Sequence, residues 1–131
     1  MNCMRCILIV DDEYIILEAL RIQLERNLPG DVIIESASGY DEAVSIMKEI
    51  ADSNGIISTV ISDYNLGEIK GSEVLRAAKQ YFSNVKKAIL TGHASIDDLS
   101  DRDPDVQLDA FFTKPWNTHE MVDFVMKSFG E

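Results

Sequence analysis

The stretch Ile7-Leu8-Ile9-Val10-Asp11-Asp12 decides the fold: four apolar residues without polar alternation run directly into two acids. A short, unbroken apolar run of this kind marks a strand covered on both faces, as in the parallel sheet of an α/β protein. The strand is read as 6–10, and segments 32–37, 57–62, 86–91 and 110–113 read the same way. Between them apolar residues recur at helical spacing: Ile16, Leu17, Leu20 and Leu24, then Ala43, Val44, Met47 and Ala51, then Val74, Leu75, Ala78 and Phe82. A further stripe, Met121, Val122, Val125, Met126 and Phe129, follows the fifth strand, and Asn117 with Glu120 forms a capping box at its start. Pro29-Gly30-Asp31 and Ser53-Asn54-Gly55 supply turns after the first and second helices. The alternation predicts an α/β fold, a doubly wound five-stranded parallel sheet between two layers of helices. One segment, 96–109, carries six aspartates around Pro104, so a fourth helix there is expected to be short or broken.

A chain of 131 residues suits one domain spanning 1–131, large enough to bury a single core. Hydrophobic residues make up 46%, yet no apolar run approaches the roughly 18 needed for a membrane span. The apolar run 7–10 is too short for a secretory signal, so a cytoplasmic location is expected. Asp and Glu number 23 against 12 Lys and Arg, a net charge of -11 that repels phosphate backbones and anionic membranes. Direct nucleic-acid binding and membrane association are therefore not expected. Cys3 and Cys6 form a Cys-x-x-Cys, but no second pair completes a zinc site and the pair leads into a strand rather than a helix, so two reduced thiols are expected.

Chemistry concentrates at the carboxyl ends of the strands, where open parallel sheets gather their functional groups. Asp11 and Asp12 follow the first strand, and Asp63 ends the third, Val60-Ile61-Ser62-Asp63. If those strands are neighbours, three carboxylates converge and repel one another unless a cation lies among them; hard oxygen ligands of this kind suit Mg²⁺. Thr91 ends the fourth strand and Lys114 the fifth, followed by Pro115. A phosphoryl group entering there would meet a divalent ion, an ammonium and a hydroxyl, with Asp63 as nucleophile. Taken singly, each residue has a plainer role: a helix cap for Asp11 or Asp12, a satisfied strand-end hydroxyl for Thr91, a solvated tail for Lys114. Their joint placement favours the chemical reading.

These residues resemble the receiver domains of bacterial two-component systems, the CheY-like family, over essentially the whole chain. The resemblance lies in Ile9-Val10-Asp11-Asp12-Glu13, in Ser62-Asp63-Tyr64-Asn65-Leu66 with Gly71 beyond it, in Leu90-Thr91-Gly92-His93, and in Phe111-Phe112-Thr113-Lys114-Pro115. It implies a flavodoxin/CheY-like α/β/α sandwich of strand order 2-1-3-4-5. It also implies a response regulator that takes a phosphoryl group from a sensor histidine kinase or phosphotransfer protein onto Asp63. By the same resemblance Mg²⁺ is held by Asp12, by Asp11 mainly through water, by Asp63, and by the backbone carbonyl of Asn65. Lys114 pairs with the phosphoryl oxygens or with Asp63, and Thr91 moves its hydroxyl onto the phosphoryl group while Phe111 turns inward. Such a module is not counted as an enzyme, since it catalyses only the phosphorylation and dephosphorylation of its own Asp63. Its output would be a downstream protein target or a missing output domain, the chain being either a single-domain regulator or the receiver piece of a longer protein, and a phosphorylation-dependent homodimer is within the family's repertoire.

Three departures from the family pattern bear on this. Gly67 stands where many members have proline, which is expected to loosen the loop after Asp63; Phe111 replaces a frequent tyrosine; and the acidic 97–109 segment falls on the family's partner surface. Three other readings compete. A flavodoxin-like electron carrier would need a Ser, Thr or Gly loop after the first strand, where this chain has acids. A haloacid-dehalogenase-like phosphatase would carry its nucleophile after the first strand with a second acid two residues on. A receiver-like docking module independent of phosphorylation would not need the full set of acids, threonine and lysine.

Overall fold

The computed structural model describes residues 5–92 and 106–130. Strand β1 (Arg5–Val10) leads to helix α1 (Tyr14–Asn27), β2 (Val32–Ala37), α2 (Tyr40–Asp52) and β3 (Ile57–Asp63). A short hairpin of β4 (Asn65–Leu66) and β5 (Ile69–Lys70) precedes α3 (Gly71–Tyr81), followed by β6 (Lys86–Thr91), β7 (Ala110–Thr113) and α4 (Thr118–Ser128). Five strands form one sheet in the order β2-β1-β3-β6-β7, every neighbouring pair parallel. Setting the hairpin aside, this is the expected 2-1-3-4-5 order.

Side chains on alternate positions of the strands enter two cores. On one face Leu8, Val10, Val60 and Ile89 pack with Ala43 and Met47 of α2 and with Val74, Leu75 and Ala78 of α3. On the other Ile7, Ile9, Ile61, Ala88 and Leu90 pack with Leu17, Leu20 and Leu24 of α1 and with Met121 and Val125 of α4. Burial on both faces is why the central strands show no polar alternation. All four helical stripes thus point inward. One aromatic contact lies outside the stripe of the last helix: Phe124 meets the Phe112 ring edge-on at 5.8 Å.

Local signals act where the sequence places them. The Asn117 side chain accepts a hydrogen bond from the Glu120 N–H at 2.9 Å and caps α4. Asn54 sits in the left-handed region, φ 61°, at the turn after α2. Gly67 also has positive φ, 80°, and with Glu68 makes the two-residue turn joining β4 and β5. The loop after Asp63 pairs as a hairpin here, because glycine reaches the positive φ that a tight hairpin turn requires and proline does not. The expected short or broken helix around Pro104 lies outside the described residues, apart from its end at 106–109. No helix among the described residues is long and apolar enough to cross a membrane.

Candidate functional site

The chain runs from β1 outward to β2 and then crosses to the opposite side of β1 to lay down β3. At that reversal the helices leave to opposite faces and a crevice opens beyond the strand ends. Asp11 follows β1 with its residue fully buried, and Asp63 ends the adjacent β3, also buried. Asp12 is exposed beside them. Oxygens of Asp11, Asp12 and Asp63 all lie within 4.8 Å of one another. The three carboxylates that the sequence placed at the ends of two strands therefore meet.

Lys114, immediately after β7, reaches into the same crevice. Its Nζ lies 3.0 Å from Asp11 Oδ2, 3.3 Å from Glu13 Oε1 and 3.4 Å from Asp63 Oδ2. The reach is set by the sheet: Thr91 pairs with Thr113, and the Lys114 N–H donates to the Thr91 carbonyl at 2.8 Å. Thr91 is buried at the end of β6 and lines the crevice with Asp12, Glu13, Asp63, Asn65 and Lys114. Phe111 pairs with Ile89, one step down the same sheet face from Thr91, and is half-buried against the α2/α3 core. His93 lies outside the described residues.

Backbone donors orient the acids. The Glu13 N–H donates to Asp11 Oδ1 at 2.8 Å, and the Asn65 N–H reaches the Asp63 carboxylate. Asp11 Oδ2 is buried, and the Lys114 ammonium 3.0 Å away is its charged partner. Burial raises the Asp11 carboxyl above its ordinary range, against the pull of the Glu13 N–H and Lys114. Burial also raises Asp63, reinforced by the negative charge of Asp11 and opposed by Lys114. For Lys114 burial works downward, but Asp11, Asp63 and Glu13 outweigh it and the net shift is up. Both acids are thus held in a state that disfavours their charge, and one lysine does not compensate them. Three carboxylates crowded around a single ammonium are hard oxygen donors that fit a divalent cation of the Mg²⁺ type.

Gly71 has a specific spatial role. A Cβ there would lie 2.1 Å from the Asp63 carbonyl oxygen and 2.9 Å from Ser62 Oγ, so the start of α3 packs against the end of β3 at a distance only glycine permits. Two residues escaped the sequence reading. Glu13 was visible as the third acid of its motif, but nothing local said that it shares Lys114. Gln23 gave no signal at all: from α1 its Oε1 accepts from Trp116 Nε1 at 2.8 Å and from the Thr118 hydroxyl, tying the segment after Lys114 to α1 across more than ninety residues of chain. Cys6 is a free, buried thiol whose pKa burial, with Glu35 nearby, pushes up to about 12. A thiol so held is unreactive; Cys3 lies outside the described residues.

Residues 7–126 match the response regulator receiver domain family. No curated protein sequence matches the chain. Among solved structures, a response regulator receiver domain protein from Clostridium thermocellum is similar at 25% identity, covering 96% of this chain and 94% of that one, with a TM-score of 0.80. A CheY-like receiver domain protein from Methanospirillum hungatei is similar at 26% identity, covering 95% and 92%, with a TM-score of 0.76. A Burkholderia pseudomallei response regulator, solved with a phosphorylated aspartic acid, a calcium ion and citrate, shares the fold at 21% identity, covering 90% of this chain and 64% of that one, with a TM-score of 0.73. The site at the chain reversal and the family match over residues 7–126 agree: this chain belongs to the response regulator receiver domain family, the signalling modules of phosphorelays.

Proposed function

We propose that the chain, folding as one receiver domain over 1–131, accepts a phosphoryl group onto the carboxylate of Asp63 in a Mg²⁺-dependent reaction. The donor is a phosphohistidine of a sensor kinase or phosphotransfer protein. The observation that carries this reading is the convergence of Asp11, Asp12 and Asp63 within 4.8 Å, with the Lys114 ammonium among them. Asp11, Asp12, Asp63 and the backbone carbonyl of Asn65 would hold the ion. When bound, Mg²⁺ supplies charge neutralisation at the phosphoryl oxygens. The Burkholderia protein, with its phosphorylated aspartate and calcium, lends support by analogy.

In the transfer an Asp63 carboxylate oxygen forms a bond to phosphorus as the P–N bond of the phosphohistidine breaks, its electron pair leaving with the imidazole. Lys114 follows the charge from the carboxylate to the phosphoryl oxygens. Thr91 donates its hydroxyl to the same oxygens, and Phe111, on the same sheet face, turns into the space it leaves. Asp63 is consumed and regenerated within one chain, so the module signals rather than turning over a substrate. The new conformation would be read by a downstream protein or an output domain in the cytoplasm, or by a second copy through dimerisation.

Trp116 reports on the site, being two residues from Lys114 and bonded to α1 through Gln23. Titrating Mg²⁺ while following its fluorescence is expected to give a saturable change that the exposed substitution Asp12→Asn abolishes. No response in the native protein would shift the function to a phosphorylation-independent docking module.

A further inference from the structure

The resting partners of Lys114 differ in exposure. Its ammonium lies 3.0 Å from Asp11, 3.3 Å from Glu13 and 3.4 Å from Asp63, and of these three carboxylates only that of Glu13 is exposed. Glu13 occupies the residue before α1, a position where short side chains such as Ser, Thr, Asp or Asn bond back to the helix. Its side chain makes no such cap bond and lies over Lys114 instead. Its backbone N–H is already committed to Asp11, so main chain and side chain serve the same crevice from one residue. The Glu13 side chain is 65% exposed, which puts its charge at the rim where a phosphoryl donor must enter.

We propose that Glu13 is a positioning residue that parks Lys114 in the resting state, so that the lysine must release Glu13 before it can meet an incoming phosphoryl group. This rests on the receiver reading given above. An ammonium has three protons and three carboxylates surround it, so a phosphoryl group claiming one of those protons must displace a carboxylate. Asp11 is fully buried and Asp63 is the reacting group, which leaves the exposed Glu13 as the contact that yields with least reorganisation. The parked lysine and the rim charge together slow phosphorylation by small anionic donors.

The test compares the native chain with Glu13→Gln, which keeps shape and removes charge, in two assays. The first measures acetylation of Lys114 by an N-hydroxysuccinimide ester, read by peptide mass without Mg²⁺ or phosphodonor. The second measures the rate of Asp63 phosphorylation by acetyl phosphate with saturating Mg²⁺. A unit charge a few ångströms away at a wet site corresponds to about a fivefold effect, so both rates are expected to rise about fivefold. Glu13→Asp, which keeps charge but shortens the reach, is expected to raise Lys114 acetylation while leaving phosphorylation slower than in Glu13→Gln. Unchanged acetylation in Glu13→Gln would overturn the proposal, as would raised acetylation with unchanged or slower phosphorylation. A native chain that takes no phosphoryl group would instead overturn the receiver chemistry, a failure distinguished by the acetylation assay, which does not depend on it.

Discussion

Gly71 and Asp11 show how closely single residues control this site. A methyl group at Gly71 would lie 2.1 Å from the Asp63 carbonyl, and backbone rather than a flexible side chain must then move. Gly71→Ala is expected to destabilise the fold by about 1–3 kcal/mol, the range for overpacking a close contact. It should also slow phosphorylation of Asp63 more than its stability loss explains, as chemical denaturation and phosphorylation rates on one preparation would show. Asp11 makes the opposite case. Its raised carboxyl pKa means that the native state binds its proton more tightly than the unfolded chain, so its contribution is full in acid and lost as pH rises through the native value. Asp11→Asn should therefore raise the denaturation midpoint of the metal-free protein at neutral pH, and the gain should shrink towards acid. With saturating Mg²⁺ the order should reverse, because the native chain then gains a ligand that the variant has lost. Asp11, Asp12, Asp63, Thr91 and Lys114 were legible because each ends a strand that the hydrophobic pattern reveals. The link of Glu13 to Lys114 and that of Gln23 to Trp116 were not, since each joins residues about a hundred positions apart and no local pattern encodes such a pair.

At the scale of elements, short apolar-rich runs without regular polar alternation predicted the five main strands to within a residue at each end, because burial on both faces of the central strands suppresses that alternation. The β4–β5 hairpin was missed for the complementary reason. Each of its strands is two residues long and mostly exposed, too short for any periodicity, and it is the antiparallel pairing of Asn65 with Lys70 and Leu66 with Ile69 around the positive φ of Gly67 that reveals it in the fold. That turn makes a prediction. Gly67→Pro, which restores the residue frequent in the family, cannot adopt a φ of 80° and should cost about 1–3 kcal/mol through backbone strain or loss of the hairpin. A lowered urea midpoint, with loss of hydrogen-exchange protection confined to 65–70, would check it. An unchanged midpoint would mean that the hairpin contributes nothing to stability.

Across the whole molecule, one feature of topology does the organising. Because β1 lies between β2 and β3, the two acids after β1 and the acid ending β3 are brought together where chain order reverses in the sheet. Parallel pairing through β6 to β7 then delivers Thr91 and Lys114 to the same edge. The net charge of -11 makes the molecule a poor ligand for nucleic acid by itself. The central claim is that this edge exists to phosphorylate Asp63. Intact mass after incubation with acetyl phosphate, for the native chain with and without Mg²⁺ and for Asp63→Ala, tests it most directly. The account predicts a gain of one phosphoryl group that needs Mg²⁺ and is absent from Asp63→Ala. A native chain of unchanged mass, or the same gain in Asp63→Ala, would contradict it.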